Sequence, residues 1–177
     1  MPGYYNNPTA TAEAIDSEGW FHTGDIGEIV DGKYLKITDR KKEIFKTSGG
    51  KYVAPQLVEN KLKESALIEQ CMVVGEGQKF PSALIIPEFE ALAHWAKQEN
   101  IAFEGNEDLI KNKKVLEKMD EEVKMTMRTV AQYEQVKKFV LLPRQFSIQE
   151  GELTPTLKLK RKVIYSKYES LILPLYG

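Results

Sequence analysis

Residues 55–87 read PQLVENKLKESALIEQCMVVGEGQKFPSALIIP, and the change of period inside this stretch decides the fold class. Pro55 suits a first helical position, where its missing N–H costs no hydrogen bond. Val58 and Leu62 then fall on one helical face. Beyond Ser65 that spacing stops. CMVVG (71–75) and SALIIP (82–87) are short apolar runs bounded by turn formers, the pattern of buried strands.

The same alternation extends outward. EFEALAHWAKQ (88–98) reads as a short amphipathic helix. In 112–132, Leu116, Met119, Val123, Met127 and Val130 recur at steps of three and four, a helical stripe that belongs to a core. KKFVLLP (137–143) reads as a third core strand, FSIQEGELTPT (146–156) as a polar loop. Ile164, Tyr168 and Leu171 place a last helix near the C-terminus. Upstream, DRKKEIFKTSGGKYVAP (39–55) reads as a linker followed by a small hairpin. IGEIV (26–30) and KYLKIT (33–38) flank Asp31-Gly32, a hairpin signal. Residues before these are rich in turn formers and carry no long apolar stripe. The expected fold is α+β: a short three-stranded sheet, an additional β-hairpin and flanking helices, preceded by another β-hairpin.

Composition narrows the function. Basic residues number 25 and acidic ones 26, which argues against a general nucleic-acid binder. One cysteine, Cys71, excludes an intramolecular disulfide and fits a reducing compartment. No apolar run approaches the ~18 residues of a transmembrane helix. His22 and His94 lie far apart with no Cys/His spacing that suggests zinc, so no metal site is expected. Cys71 reads as a buried, inert thiol and the two histidines as structural.

Three motifs could carry chemistry. Thr23-Gly24-Asp25 places a carboxylate on a tight turn, where it could accept from a ribose diol or simply open a strand. Around Gly49-Gly50, Arg40 offers a donor fork and Lys42 a point charge, and the glycines let a ligand approach the backbone. The alternative is a basic hairpin with a glycine turn. LTPTLKLKRKVIYSKY (153–168) concentrates Lys158, Lys160, Arg161 and Lys162 after a Thr-Pro-Thr turn.

Taken in order, GYYNNPTATAEAID (3–16), GWFHTGDIGEI (19–29), DGKYLKITDRKKEIFKTSGGKYVAPQLVE (31–59) and LTPTLKLKR (153–161) resemble the C-terminal part of the AMP-forming acyl-CoA synthetases of the adenylate-forming superfamily. GGKYVAP and LTPTLKLKR look most like the long-chain fatty acid–CoA ligase branch. Many other branches carry Ser-Gly-Lys where this chain has Leu157-Lys158.

The resemblance implies a two-step ligase. A fatty acid carboxylate attacks the α-phosphate of ATP and releases pyrophosphate; CoA thiol then displaces AMP. It implies a small, mobile C-terminal domain that turns between the steps. Residues 1–38 would be a remnant of the large N-terminal domain, 39–42 the hinge and 43–177 the C-terminal domain. Asp25 and Arg40 would bind the nucleotide ribose, and Lys42 would be the hinge residue. Ser48, Gly49, Gly50 and Lys51 would line the CoA channel in the thioester step. Lys158 would be the adenylation lysine, on a loop that can leave. Lys160, Arg161 and Lys162 read as a solvated helix face, with contacts to CoA phosphates as the alternative.

The family's phosphate-binding loop, acyl tunnel and acidic Mg²⁺ partner are not in this sequence. The chain is therefore expected to be a C-terminal piece of a larger ligase, inactive alone. Mg²⁺ is expected in the parent with its ligands elsewhere, and the parent in the cytoplasm, with peripheral membrane association left open. The other reading is a stand-alone, non-catalytic module that binds nucleotide or CoA or docks on a protein. Without the large domain, Tyr4, Tyr5, Trp20 and Phe21 would be partly exposed and residues 1–38 prone to self-association.

Overall fold

The computed structural model describes residues 1–177. The chain divides into two units, Met1–Ile44 and Phe45–Gly177.

The first unit opens with α1 (Pro8–Ala14), a helix the turn-rich sequence did not announce. Its cause is local. Asn7 caps the first turn, its Oδ1 accepting from the Ala10 amide at 3.0 Å, and Pro8 fits the start of the helix. No residue of α1 is buried, so capping and not packing explains it. The expected hairpin follows as β1 (Asp25–Val30) and β2 (Tyr34–Arg40), antiparallel. Asp31 (φ 53°) and Gly32 (φ 64°) form its tip in the left-handed region, as a tight hairpin turn requires. A bulge at Ile26/Gly27 breaks the register.

The second unit begins with a minimal hairpin of β3 (Phe45–Lys46) and β4 (Tyr52–Val53). Next come α2 (Pro55–Leu62), β5 (Ile68–Val74), β6 (Ser82–Pro87), α3 (Phe89–Gln98), α4 (Asn106–Leu109), α5 (Lys113–Thr126), β7 (Lys138–Leu141) and α6 (Arg161–Ile172). The sheet order is β5-β6-β7, with β5/β6 antiparallel and β6/β7 parallel. Both faces are covered. Cys71, Val73, Ala83 and Ile85 join the core shared with Leu62, Leu92, Met119 and Val123. Met72, Val74, Leu84 and Ile86 join Phe146, Ile164 and Ile172 on the other side. Burial on both faces is why these strands read as unbroken apolar runs and do not alternate. The α+β expectation holds.

The two helical stripes face the core as read at Met119, Val123, Met127 and Ile164, and each differs from the sequence reading by one residue at one end. On α5 the buried positions are Val115, Met119 and Val123, and Leu116 stays 39% exposed. On α6 they are Ile164 and Ile172, with Leu171 42% exposed. An adjacent residue is rotated by more than a quarter turn, so both choices were apolar but only one faces the sheet. The loop 146–156 also differs from the expected polar loop: Phe146, Glu152 and Leu153 are buried. No helix is long and apolar enough to cross a membrane.

Candidate functional site

In the first unit, Asp25 and Arg40 are directly opposed across the β1/β2 ladder. Arg40 Nε lies 3.3 Å from Asp25 Oδ1. The turn before Asp25 is set by Gly24 (φ 75°), by Thr23 Oγ1 accepting from the Asp25 amide at 3.1 Å, and by the Lys41 amide donating to Gly24 O at 2.8 Å. A carboxylate and a guanidinium are thus held side by side and partly exposed, a donor–acceptor pair suited to vicinal hydroxyls. Lys42 is exposed, in the turn after β2 and just ahead of the division at Ile44/Phe45.

The second unit carries the same lysine-bearing turn twice. In Thr47-Ser48-Gly49-Gly50-Lys51, the Gly50 amide donates to Thr47 O at 2.9 Å, Thr47 N to Lys51 O at 2.9 Å, and Lys51 N to Thr47 Oγ1 at 3.2 Å. In Thr154-Pro155-Thr156-Leu157-Lys158, the Leu157 amide donates to Thr154 O at 2.8 Å, Thr154 N to Lys158 O at 2.8 Å, and Lys158 N to Thr154 Oγ1 at 3.0 Å. In each, the residue before the lysine is left-handed: Gly50 at φ 79° and Leu157 at φ 60°. The two lysines differ in their surroundings. Lys51 Nζ stands 5.8 Å from the Tyr133 ring centroid. Lys158 is exposed and its ammonium makes no hydrogen bond or ion pair. A leucine in the left-handed region, beside an unpartnered cation, is local strain of the kind found at functional sites.

The Lys158 turn stands on two buried carboxylates. Upstream, Glu152 is fully buried. It takes Arg144 through two nitrogens at 3.0 and 3.2 Å, the Ser147 amide at 3.1 Å, the Tyr168 hydroxyl at 3.0 Å and Lys167 at 3.2 Å. Burial pushes its carboxyl up, but Arg144, the Ser147 amide, Lys167 and Tyr168 together hold it below the ordinary range. Downstream, Arg161 opens α6 and grips Glu59 of α2 with both terminal nitrogens at 2.7 Å. Glu59 Oε1 also accepts from the Val73 amide at 2.8 Å. Burial pushes the Glu59 carboxyl above its usual range, against Arg161 and Val73, which favour the ionised form.

Two sequence expectations are corrected here. Arg161 does not belong to a solvated face with exposed Lys160 and Lys162; its fork is engaged by Glu59. The QEGE run is not simply a polar loop, because Glu152 is buried and bonded to Arg144, Ser147, Lys167 and Tyr168. One signal was available: Glu59 stands between Val58 and Leu62 on the buried face of α2, and a charge inside an apolar stripe demands a buried partner. Arg161 itself is remote in sequence and carried no local mark. His22 gains a partner the sequence did not place, its Nε2 2.9 Å from Asp16 Oδ2. Burial, with Glu59 nearby, pushes the Cys71 thiol upward, which fits the inert reading.

The family model for the AMP-binding enzyme C-terminal domain matches residues 42–177. The chain is similar to Long-chain-fatty-acid–CoA ligase FadD15 of Mycobacterium tuberculosis, at 43% identity over 177 residues, covering 99% of this chain and 29% of the relative. It is similar to human Long-chain-fatty-acid–CoA ligase 1 at 42% identity, covering 99% of this chain and 25% of the relative. It thus spans less than a third of the length of these curated relatives. Among solved structures, the A domain of the carboxylic acid reductase of Segniliparus rugosus, in complex with AMP and a carboxylic acid, matches with a TM-score of 0.80 at 28% identity, covering 99% of this chain and 26% of that one.

Proposed function

This chain belongs to the family of AMP-binding enzyme C-terminal domains, and from that premise we propose that it serves an AMP-forming long-chain fatty acid–CoA ligase. Residues 43–177 act as the small domain, 39–42 as the hinge at Lys42, and 1–38 as the edge of a larger adenylate-forming domain. The observation that carries the reading is the Lys158 turn: an unpartnered ammonium on a strained, doubly anchored loop.

In the first half-reaction the fatty acid carboxylate oxygen bonds to the α-phosphorus of ATP while the α–β phosphoanhydride breaks and pyrophosphate leaves. Both reacting groups are anionic. The Lys158 ammonium offsets their repulsion and the charge that develops between them, an effect on the order of several kcal/mol. Asp25 accepts from the ribose hydroxyls and Arg40 donates to the ribose. In the second half-reaction the CoA sulfur bonds to the acyl carbon, its proton is lost, and AMP departs. The exposed turn Ser48-Gly49-Gly50-Lys51 faces CoA, where a side chain at Gly50 would narrow the approach. ATP and CoA are substrates here. Any Mg²⁺ that accompanies ATP would take its ligands from the larger domain, as the family resemblance implies. Tyr4, Tyr5, Trp20 and Phe21 are 49, 94, 70 and 44% exposed; this apolar surface would be covered by the larger domain, or by a second copy when that domain is missing.

The test is Lys158→Ala in the full-length ligase. Fatty acid-dependent ATP–pyrophosphate exchange falls by ~100-fold or more, and thioester formation from supplied acyl-adenylate is spared. Equal loss in both half-reactions refutes the assignment.

A further inference from the structure

From Lys158 the chain runs through Leu159 and Lys160 to Arg161 with little freedom. Leu159 bridges back to Leu153, and the Lys160 amide donates to Glu152 O at 2.8 Å. Arg161 then closes on Glu59 in a bidentate pair, and Glu59 reaches the backbone of β5 through Val73. The lysine turn is therefore registered against the central sheet by an ion pair, across a sequence gap from 59 to 161.

We infer that Glu59 and Arg161 are positioning residues for Lys158. Neither needs to touch substrate. Their planar fork-to-carboxylate contact fixes direction as well as distance, which an apolar contact at the same place would not. Both terminal nitrogens of Arg161 point at Glu59, so the guanidinium is engaged internally and is not the free cation that a CoA phosphate contact would require. The inference rests on the adenylation role of Lys158 for its catalytic meaning, but its structural content stands apart from that role.

The decisive variant is the double change Glu59→Met with Arg161→Met. Removing Arg161 alone strands a buried charge and can unfold the domain, whereas replacing both partners by apolar side chains of similar volume commonly keeps a fold. In the whole 177-residue chain, amide exchange at Lys158 and Lys160 rises ~10-fold relative to amides of β6, while β6 keeps its protection. In the full-length ligase, adenylation falls ~10-fold and thioester formation from supplied acyl-adenylate is unchanged. Arg161→Lys keeps the charge but not the fork and gives an intermediate loss. Unchanged exchange at Lys158 and Lys160 in the double variant overturns the inference, as does equal loss of both half-reactions. Lys158→Ala run in parallel separates the two claims. If that variant adenylates normally, the role of Lys158 fails, and the exchange data still decide whether the pair fixes the turn.

Discussion

The turns at 47–51 and 154–158 share their hydrogen bonds and the left-handed residue before the lysine, yet they are held in different ways. The first is tied by neutral backbone bonds: Ser48 N donates to Gln78 O at 2.9 Å and Gly77 N to Lys46 O at 2.8 Å. The second is tied at both ends by buried carboxylates, Glu152 and Glu59. The first uses glycine where the second strains a leucine. Neutral bonds hold a turn at any pH and tolerate loss of one member. Ionic anchors fix direction more sharply, but a lost partner leaves charge uncompensated.

The largest break in this comparison is at Glu152. Glu152→Ala removes the acceptor shared by Arg144, Lys167, Tyr168 and the Ser147 amide, and should cost ~3 kcal/mol in urea denaturation. No single neutral tie of the 47–51 turn should match it. The pH dependence follows from the depressed carboxyl. Above the ordinary value of 4.5, Glu152 is ionised in both states and its stabilisation is fully present. As pH falls through the lower folded value the folded state must take up a proton and that stabilisation is lost. Denaturation curves should show this acid-side loss in the native chain and a smaller one in Glu152→Ala. Identical slopes would place the acid sensitivity elsewhere.

The sheet was legible because burial on both faces leaves a strong signature in CMVV and ALII. The lysines were legible because they sit in ordered, short motifs. Less could be read of what holds them. The partner of Arg161 lies on α2, and that of Glu152 is spread over Arg144, Ser147, Lys167 and Tyr168, so both depend on tertiary packing. α1 escaped because an Asn-Pro cap, without an apolar stripe, was enough to start it. The left-handed geometry at Leu157 had one indirect mark, the glycine that other branches carry at that place, because leucine itself is disfavoured there.

A smaller effect is expected at Gly50. An added Cβ meets no close atom, the nearest being Lys46 Cε at 3.7 Å. Gly50→Ala therefore tests conformation and not space. At φ 79° it should cost ~1 kcal/mol, the left-handed penalty less the entropy that alanine removes from the unfolded chain. A neutral result in thermal denaturation would mean that the turn relaxes readily, and that the resemblance between the two turns is only approximate.

The smallest effect has the opposite sign. Leu157 is 69% exposed, so truncating it forfeits little burial, while its φ of 60° suits glycine. Leu157→Gly should raise stability by ~0.5 kcal/mol, the relieved left-handed penalty exceeding the added chain entropy. The denaturant midpoint should rise at unchanged slope. Leu157→Val, with a branched Cβ in the same conformation, should move the midpoint the other way. If glycine stabilises the turn and adenylation in the full-length ligase also slows, the strain at Leu157 helps aim Lys158. If adenylation is unchanged, aim is set by the anchors at Glu152 and Arg161 alone, and leucine is a tolerated substitute for the glycine its twin turn already carries.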